Sequence, residues 1–122
     1  MNFDNLGNDS KTRIIQELVP GKQITLAHVI ANPDPVLYQK LGLDPNSKTS
    51  AIGIITISPA ETVIIAGDIA TKASGAELGF VDRFSGTLIV TGSVSQVEES
   101  VRAILTYVSE TLGFTVCPIT KT

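Results

Sequence analysis

Hydrophobic and polar positions along the chain fall into short blocks that predict alternating strands and helices. Ile24 to Ile30 alternates with period two, placing Ile24, Leu26, His28 and Ile30 on one strand face and Thr25, Ala27 and Val29 on the other. A short helix follows, with Asp34 as N-cap, Pro35 in the first helical position and Gly42 as the stop after Leu41. Asp44-Pro45-Asn46-Ser47 reads as a surface turn. Ala51 to Ile57 is apolar on both faces, as in a strand at the middle of a sheet. Ser58, Pro59 and Glu61 have the spacing of a capping box, so the next helix is expected to start there, thin where Ala66, Gly67, Ala70 and Ala73 recur and ending near Lys72. Glu77 to Phe84 and Thr87 to Thr91 predict two strands joined at Ser85-Gly86. Ser95 and Glu98 repeat the capping-box spacing before a stripe of Val97, Val101, Ile104, Leu105, Val108 and Leu112 that ends at Gly113. Phe114 to Ile119 reads as a last strand, set near an edge by Pro118.

From Ala51 to Ile119 the order is strand, helix, strand, strand, helix, strand, which is the split βαβ arrangement of ferredoxin-like α+β folds. Helices cover such a sheet on one side, so its other face is either solvated or covered by something else. One extra strand and short helix precede this unit. Ahead of them, Met1 to Thr12 is a polar arm without periodicity. Arg13 to Val19 fits a helix, with Ile14, Ile15, Leu18 and Val19 on one face. It fits a strand equally, with Ile14, Gln16 and Leu18 opposed to Ile15, Glu17 and Val19. Either form is too short to stand alone and needs a partner.

Composition narrows the function classes. The 122 residues suit one domain, and 12 acidic against 9 basic residues, scattered along the chain, give neither a nucleic-acid footprint nor a membrane-surface stripe. No apolar run approaches the roughly 20 residues of a membrane span, and no signal peptide is visible at the start, so a cytoplasmic location is expected. Only 17% of residues are charged, below the usual figure of about 25%, which leaves surface for other copies to cover.

Chemistry is sparse. The glycines follow neither dinucleotide nor phosphate-loop spacing, and no cofactor or metal is implied. His28 stands alone on an apolar strand face without an orienting partner, and the single Cys117 has no metal-ligand spacing around it. Asp82-Arg83-Phe84-Ser85-Gly86 is the most unusual stretch, with two opposite charges and an aromatic at a tight hairpin turn. It reads either as an ordinary turn with a surface ion pair or as a contact or pore-lining loop.

Three segments, RIIQELVPGKQITLAHVIANP, SAIGIITISPAETVIIAGDIATKA and LGFVDRFSGTLIVTGSVSQVEES, together resemble the circularly permuted hexameric shell proteins of bacterial microcompartments, of the propanediol, ethanolamine and choline utilisation types. The likeness runs from Arg13 to Thr122. It implies a circularly permuted BMC domain at 22–122, in which the strand and short helix at Ile24 to Leu41 would come last in the family's usual order. It also implies an N-terminal strand at 13–21, carrying Ile14, Ile15, Gln16, Glu17, Leu18 and Val19, that joins five others in a small barrel, and a free arm at 1–12. The resemblance further implies a pore loop at Asp82, Arg83, Phe84, Ser85 and Gly86 and a hexamer edge at Asp68 and Lys72. The implied role is structural: a homo-hexamer that tiles with other shell proteins, and contacts encapsulated enzymes, in the cytoplasm. An oligomeric small-molecule sensor is the alternative from another class, and an enzyme built across subunits from His28, Asp82 or Arg83 is the third.

Overall fold

A computed structural model describes residues 21–43 and 50–122. The elements are β1 (Gln23–Ala31), α1 (Pro35–Lys40), β2 (Ala51–Ser58), α2 (Thr62–Ala73), β3 (Glu77–Asp82), β4 (Thr87–Gly92), α3 (Val94–Glu110) and β5 (Thr120–Lys121). They form one sheet in the order β3-β4-β2-β1-β5, with β2 in the middle. β1 and β4 flank β2 and run antiparallel to it. β3 is antiparallel to β4, and β5 is parallel to β1.

The doubly apolar run of β2 has its reason in two cores. On one face Ala51, Ile55 and Ile57 meet Val63, Ala66 and Ala70 of α2 and Val97, Val101, Ile104 and Val108 of α3. On the other face Ile52 packs with Ile89 of β4, Tyr38 of α1 and Leu43, so the short helix covers part of the face that α2 and α3 leave open. α3 lies directly on β2. A Cβ added at Gly53 would stand 2.8 Å from side-chain carbons of both Val90 and Val97. Between the helices, buried Ser100 donates to the Ala70 carbonyl at 2.9 Å and lies 2.8 Å from the Ser74 hydroxyl, which in turn donates to the Gln96 carbonyl.

Several expectations stand as read. Asp34 caps α1, its carboxylate accepting from Val36 N at 3.0 Å, and Pro35 opens the helix. Of the expected stripe, Val97, Val101, Ile104 and Val108 are fully buried, while Leu105 is only partly buried and Leu112, also partly buried, lies beyond the helix end at Glu110.

Four expectations need correction. The two faces of β1 are not the simple alternation: the ladder with β2 shifts register between Ile24 and Leu26, and this bulge turns Ile24 to the helix-side core with Ala27 and Val29. Ser58 and Glu61 form no capping box. Ser58 is still strand, paired with Gln23, the Ser58–Pro59 peptide is cis, and a tight turn bonded from Thr62 N to Pro59 O and from Val63 N to Ala60 O delays α2 to Thr62. The capping box of α3 is two residues earlier than expected, with Ser93 Oγ accepting from Gln96 N and Gln96 Oε1 accepting from Ser93 N. Phe114 to Ile119 is not a strand. Only Thr115 makes a bridge there, to Gln23, and the ladder resumes at Thr120–Lys121 beyond Pro118, which lacks a donor. β1 takes the place beside β2, and the C-terminal segment lies outside it at the sheet edge, where Pro118 set it in the sequence reading.

The arm at 1–12, the segment carrying Ile14 to Val19 and the turn at Asp44 to Ser47 lie outside the described residues.

Candidate functional site

The hairpin between β3 and β4 is built by Asp82, the last residue of β3. Its Oδ1 accepts from Phe84 N at 2.9 Å and its Oδ2 accepts from Ser85 Oγ at 2.9 Å, while its carbonyl accepts from Gly86 N at 2.8 Å. These donors hold the Asp82 carboxyl below the usual carboxylate range, Phe84 N contributing most and the Ser85 hydroxyl next. Gly86 sits at φ +76, and any Cβ there would run into the carbonyl of Ile57 and crowd Ala60. Its own carbonyl accepts from Ile57 N at 2.8 Å, so the turn is clamped onto the end of β2. The tip projects outward: Phe84 is 81% exposed, and the Arg83 guanidinium lies 4.8 Å from the centre of its ring.

Asp68 and Lys72 pair at 2.9 Å across one turn of α2, both side chains well exposed. The acidic partner on the N-terminal side and the cation in the last turn suit the helix dipole. The structure does not bring this pair and the hairpin together. Ile64 near the start of α2 shares a hollow with Val81, Asp82, Arg83 and Phe84. Lys72 lies eight residues further on, about 12 Å along the helix axis, beside a second hollow lined by Ile65, Ile69 and Tyr107. Ile14, Ile15, Gln16, Glu17, Leu18 and Val19 are outside the described residues.

His28 has hydroxyl partners on both ring nitrogens, Thr120 Oγ1 at 2.6 Å from Nδ1 and Thr122 Oγ1 at 3.0 Å from Nε2, which fastens the C-terminal segment to β1. Cys117 is free and half-buried, packed against the helix-side core.

Sequence reasoning missed an apolar margin beside the hairpin. β3 is an edge strand, yet Leu78, Phe80 and Val81 are exposed on it, Phe80 at 46%, and Ile64 on the neighbouring helix is 56% exposed. A register shift between Leu78 and Phe80 breaks the alternation at Gly79. The signal was present in the consecutive Phe80-Val81, since a half-buried strand with a clean period of two does not repeat apolar residues without interruption.

Residues 51–120 match the BMC domain family. The chain is 54% identical over 110 residues to the bacterial microcompartment shell protein PduU of Salmonella typhimurium, covering 90% of this chain and 93% of that protein. It is 50% identical over 111 residues to the shell protein EutS of Escherichia coli K12, covering 91% and 97%. A solved structure of a CutR flat hexamer superposes with a TM-score of 0.79 at 50% identity, covering 90% of this chain and 99% of that one. The leading strand and short helix precede the matched domain in sequence but complete its sheet in space. With half of its residues shared over nine-tenths of its length, the chain belongs to the bacterial microcompartment shell proteins.

Proposed function

We propose that this protein is a structural subunit of a microcompartment shell in the bacterial cytoplasm, forming cyclic hexamers that tile with other shell proteins around encapsulated enzymes. The observation that carries the reading is the apolar margin formed by Leu78, Phe80 and Val81 on an open sheet edge and Ile64 on the neighbouring helix. In a lone copy this edge is a template for uncontrolled pairing, and a ring of copies covers it in every subunit at once. A CutR relative, matched over 99% of its own chain and solved as a flat hexamer, supports that arrangement.

Within the ring, the clamped turn Asp82 to Gly86 lines the axial opening. Asp68 and Lys72, at the far end of α2, meet the neighbouring hexamer. The segment 13–21 closes with its five copies into a barrel over the opening, and 1–12 is a free arm. The role is mechanical and selective, not catalytic: the relatives carry shell-protein names, His28 has both nitrogens engaged by threonines, and both Asp82 oxygens accept within their own turn. The same names weigh against a sensor.

Electron microscopy of the concentrated full chain tests the proposal. Flat sheets or tubes with a hexagonal repeat are expected; dispersed single chains would overturn it.

A further inference from the structure

We infer that the segment from Phe114 to Thr122 is a guard strap: by holding the outer edge of β1 it keeps copies of the chain from joining edge to edge in an open sheet, and so commits them to the closed ring. The inference rests on the hexameric reading above.

Among the described residues the sheet has two margins, β3 on one side and β1 with its short neighbour β5 on the other. β3 is bare and apolar. β1 is nine residues long and would be the longer template if it too were bare. Strand directions make that hazard specific. Every neighbour in the run β3-β4-β2-β1 is antiparallel, so β3 runs opposite to β1. A second copy continuing the sheet in the same sense would set its β3 beside β1 as an antiparallel pair, the more stable kind. Each copy so added presents the same free edge again, and such a head-to-tail contact grows without closing.

The strap stands in that place. At one end Ile24 N donates to Thr115 O at 2.9 Å and Thr115 N to Lys22 O at 3.1 Å; at the other, Thr122 N donates to Val29 O and Ala31 N to Thr122 O, both at 3.0 Å. Between these ends the strap leaves the ladder, and Pro118 has no N–H to offer a further strand. Pairing toward β1 is kept while the outer side is a poor template. Side chains fasten the far end: Thr120 and Thr122 to the two ring nitrogens of His28, at 2.6 and 3.0 Å, and Lys121 to Glu98 of α3 at 2.7 Å. His28, alone on its strand face in sequence, is the clasp. The strap's apolar residues, Phe114, Val116, Cys117 and Ile119, are only partly buried, so these bonds carry a large share of its hold.

The test uses the full chain with Thr120→Ala, Lys121→Ala and Thr122→Ala together, three exposed positions outside both cores. Amide exchange at Ala31, whose N–H is given to Thr122, should rise by about tenfold or more, with exchange at Ile57, bonded to Gly86, unchanged. Electron micrographs should then show open-ended fibres at the expense of rings, lengthening with protein concentration. His28→Ala removes two of the three fastenings from the β1 side and should act in the same direction, more weakly. Faster exchange at Ala31 in a protein that still forms only closed rings overturns the guard and leaves the hexamer standing. Unchanged exchange at Ala31 in both variants overturns it too, because the named side chains would then not hold the strap. A parent chain that sediments as single copies overturns the ring itself, whatever the variants do.

Discussion

Replacing Gly86 by Ala tests whether the hairpin is as tightly clamped as its contacts require. A left-handed backbone costs an L-residue about 1–2 kcal/mol. The added methyl also points at the Ile57 carbonyl and Ala60, so the turn must lift away from β2, and lifting breaks the 2.8 Å bond from Ile57 N to Gly86 O. That bond contributes about 1 kcal/mol, giving a total near 2–3 kcal/mol. For a domain of this size the loss corresponds to a melting temperature lower by about 8–12 °C. Gly113 supplies the control. It has nearly the same φ, +74, with no atom within 4 Å of an added Cβ, so Gly113→Ala carries only the backbone cost. The assay is thermal unfolding of the two variants and the parent at one protein concentration, because assembly stabilises by mass action. Equal losses in the two variants, or a Gly86→Ala loss under about 2 °C, would refute the argument that the turn is pressed onto β2.

Three further outcomes follow from the same geometry. Asp82 has a depressed pKa in the folded chain, so its contribution to the turn is present above the ordinary carboxylate range near pH 4 and is lost as pH falls through the lower folded value. Amide exchange at Phe84 and Ser85, corrected for intrinsic rates, should therefore rise on acidification below about pH 4, and Asp82→Asn should remove that dependence. Val81→Asp puts a charge on the apolar margin, where the side chain is already exposed. It should leave circular dichroism unchanged and release single chains in sedimentation velocity; intact hexamers would show that the margin is not the interface. Lys72→Ala removes an exposed ion pair of little energetic weight, so stability should change by no more than about 0.5 kcal/mol. Sheets in electron micrographs should disappear while hexamers persist.

The parts of the fold legible in sequence are those set by local chemistry and long stripes. Asp34-Pro35 fixed the start of α1, and the heptad-like run from Val97 to Val108 fixed α3 and its buried face. What escaped was set by pairing with distant strands. A bulge at Thr25 is created by the register that β1 takes against β2, so a period-two reading of β1 alone puts Ile24 on the wrong face. Ser58 has the spacing of a cap, but the ladder to Gln23 keeps it extended. Phe114 to Ile119 has strand propensity, yet β1 already holds the place beside β2, and Pro118 interrupts what pairing remains outside it.

At the candidate site, the turn itself was visible as Asp82 to Gly86. Its internal bonding was not, because it depends on Asp82 accepting from the two residues after Arg83. The apolar margin was signalled only by the consecutive Phe80-Val81. Leu78, Phe80 and Val81 look like core residues in sequence, and only the edge position of β3 leaves them in the open.

Native mass spectrometry of the intact chain addresses the central claim most directly. A dominant species of six copies, stable on dilution to micromolar concentration and lost in Val81→Asp, is the result this account predicts. Single chains as the dominant species across the same range, with the fold intact, would contradict it.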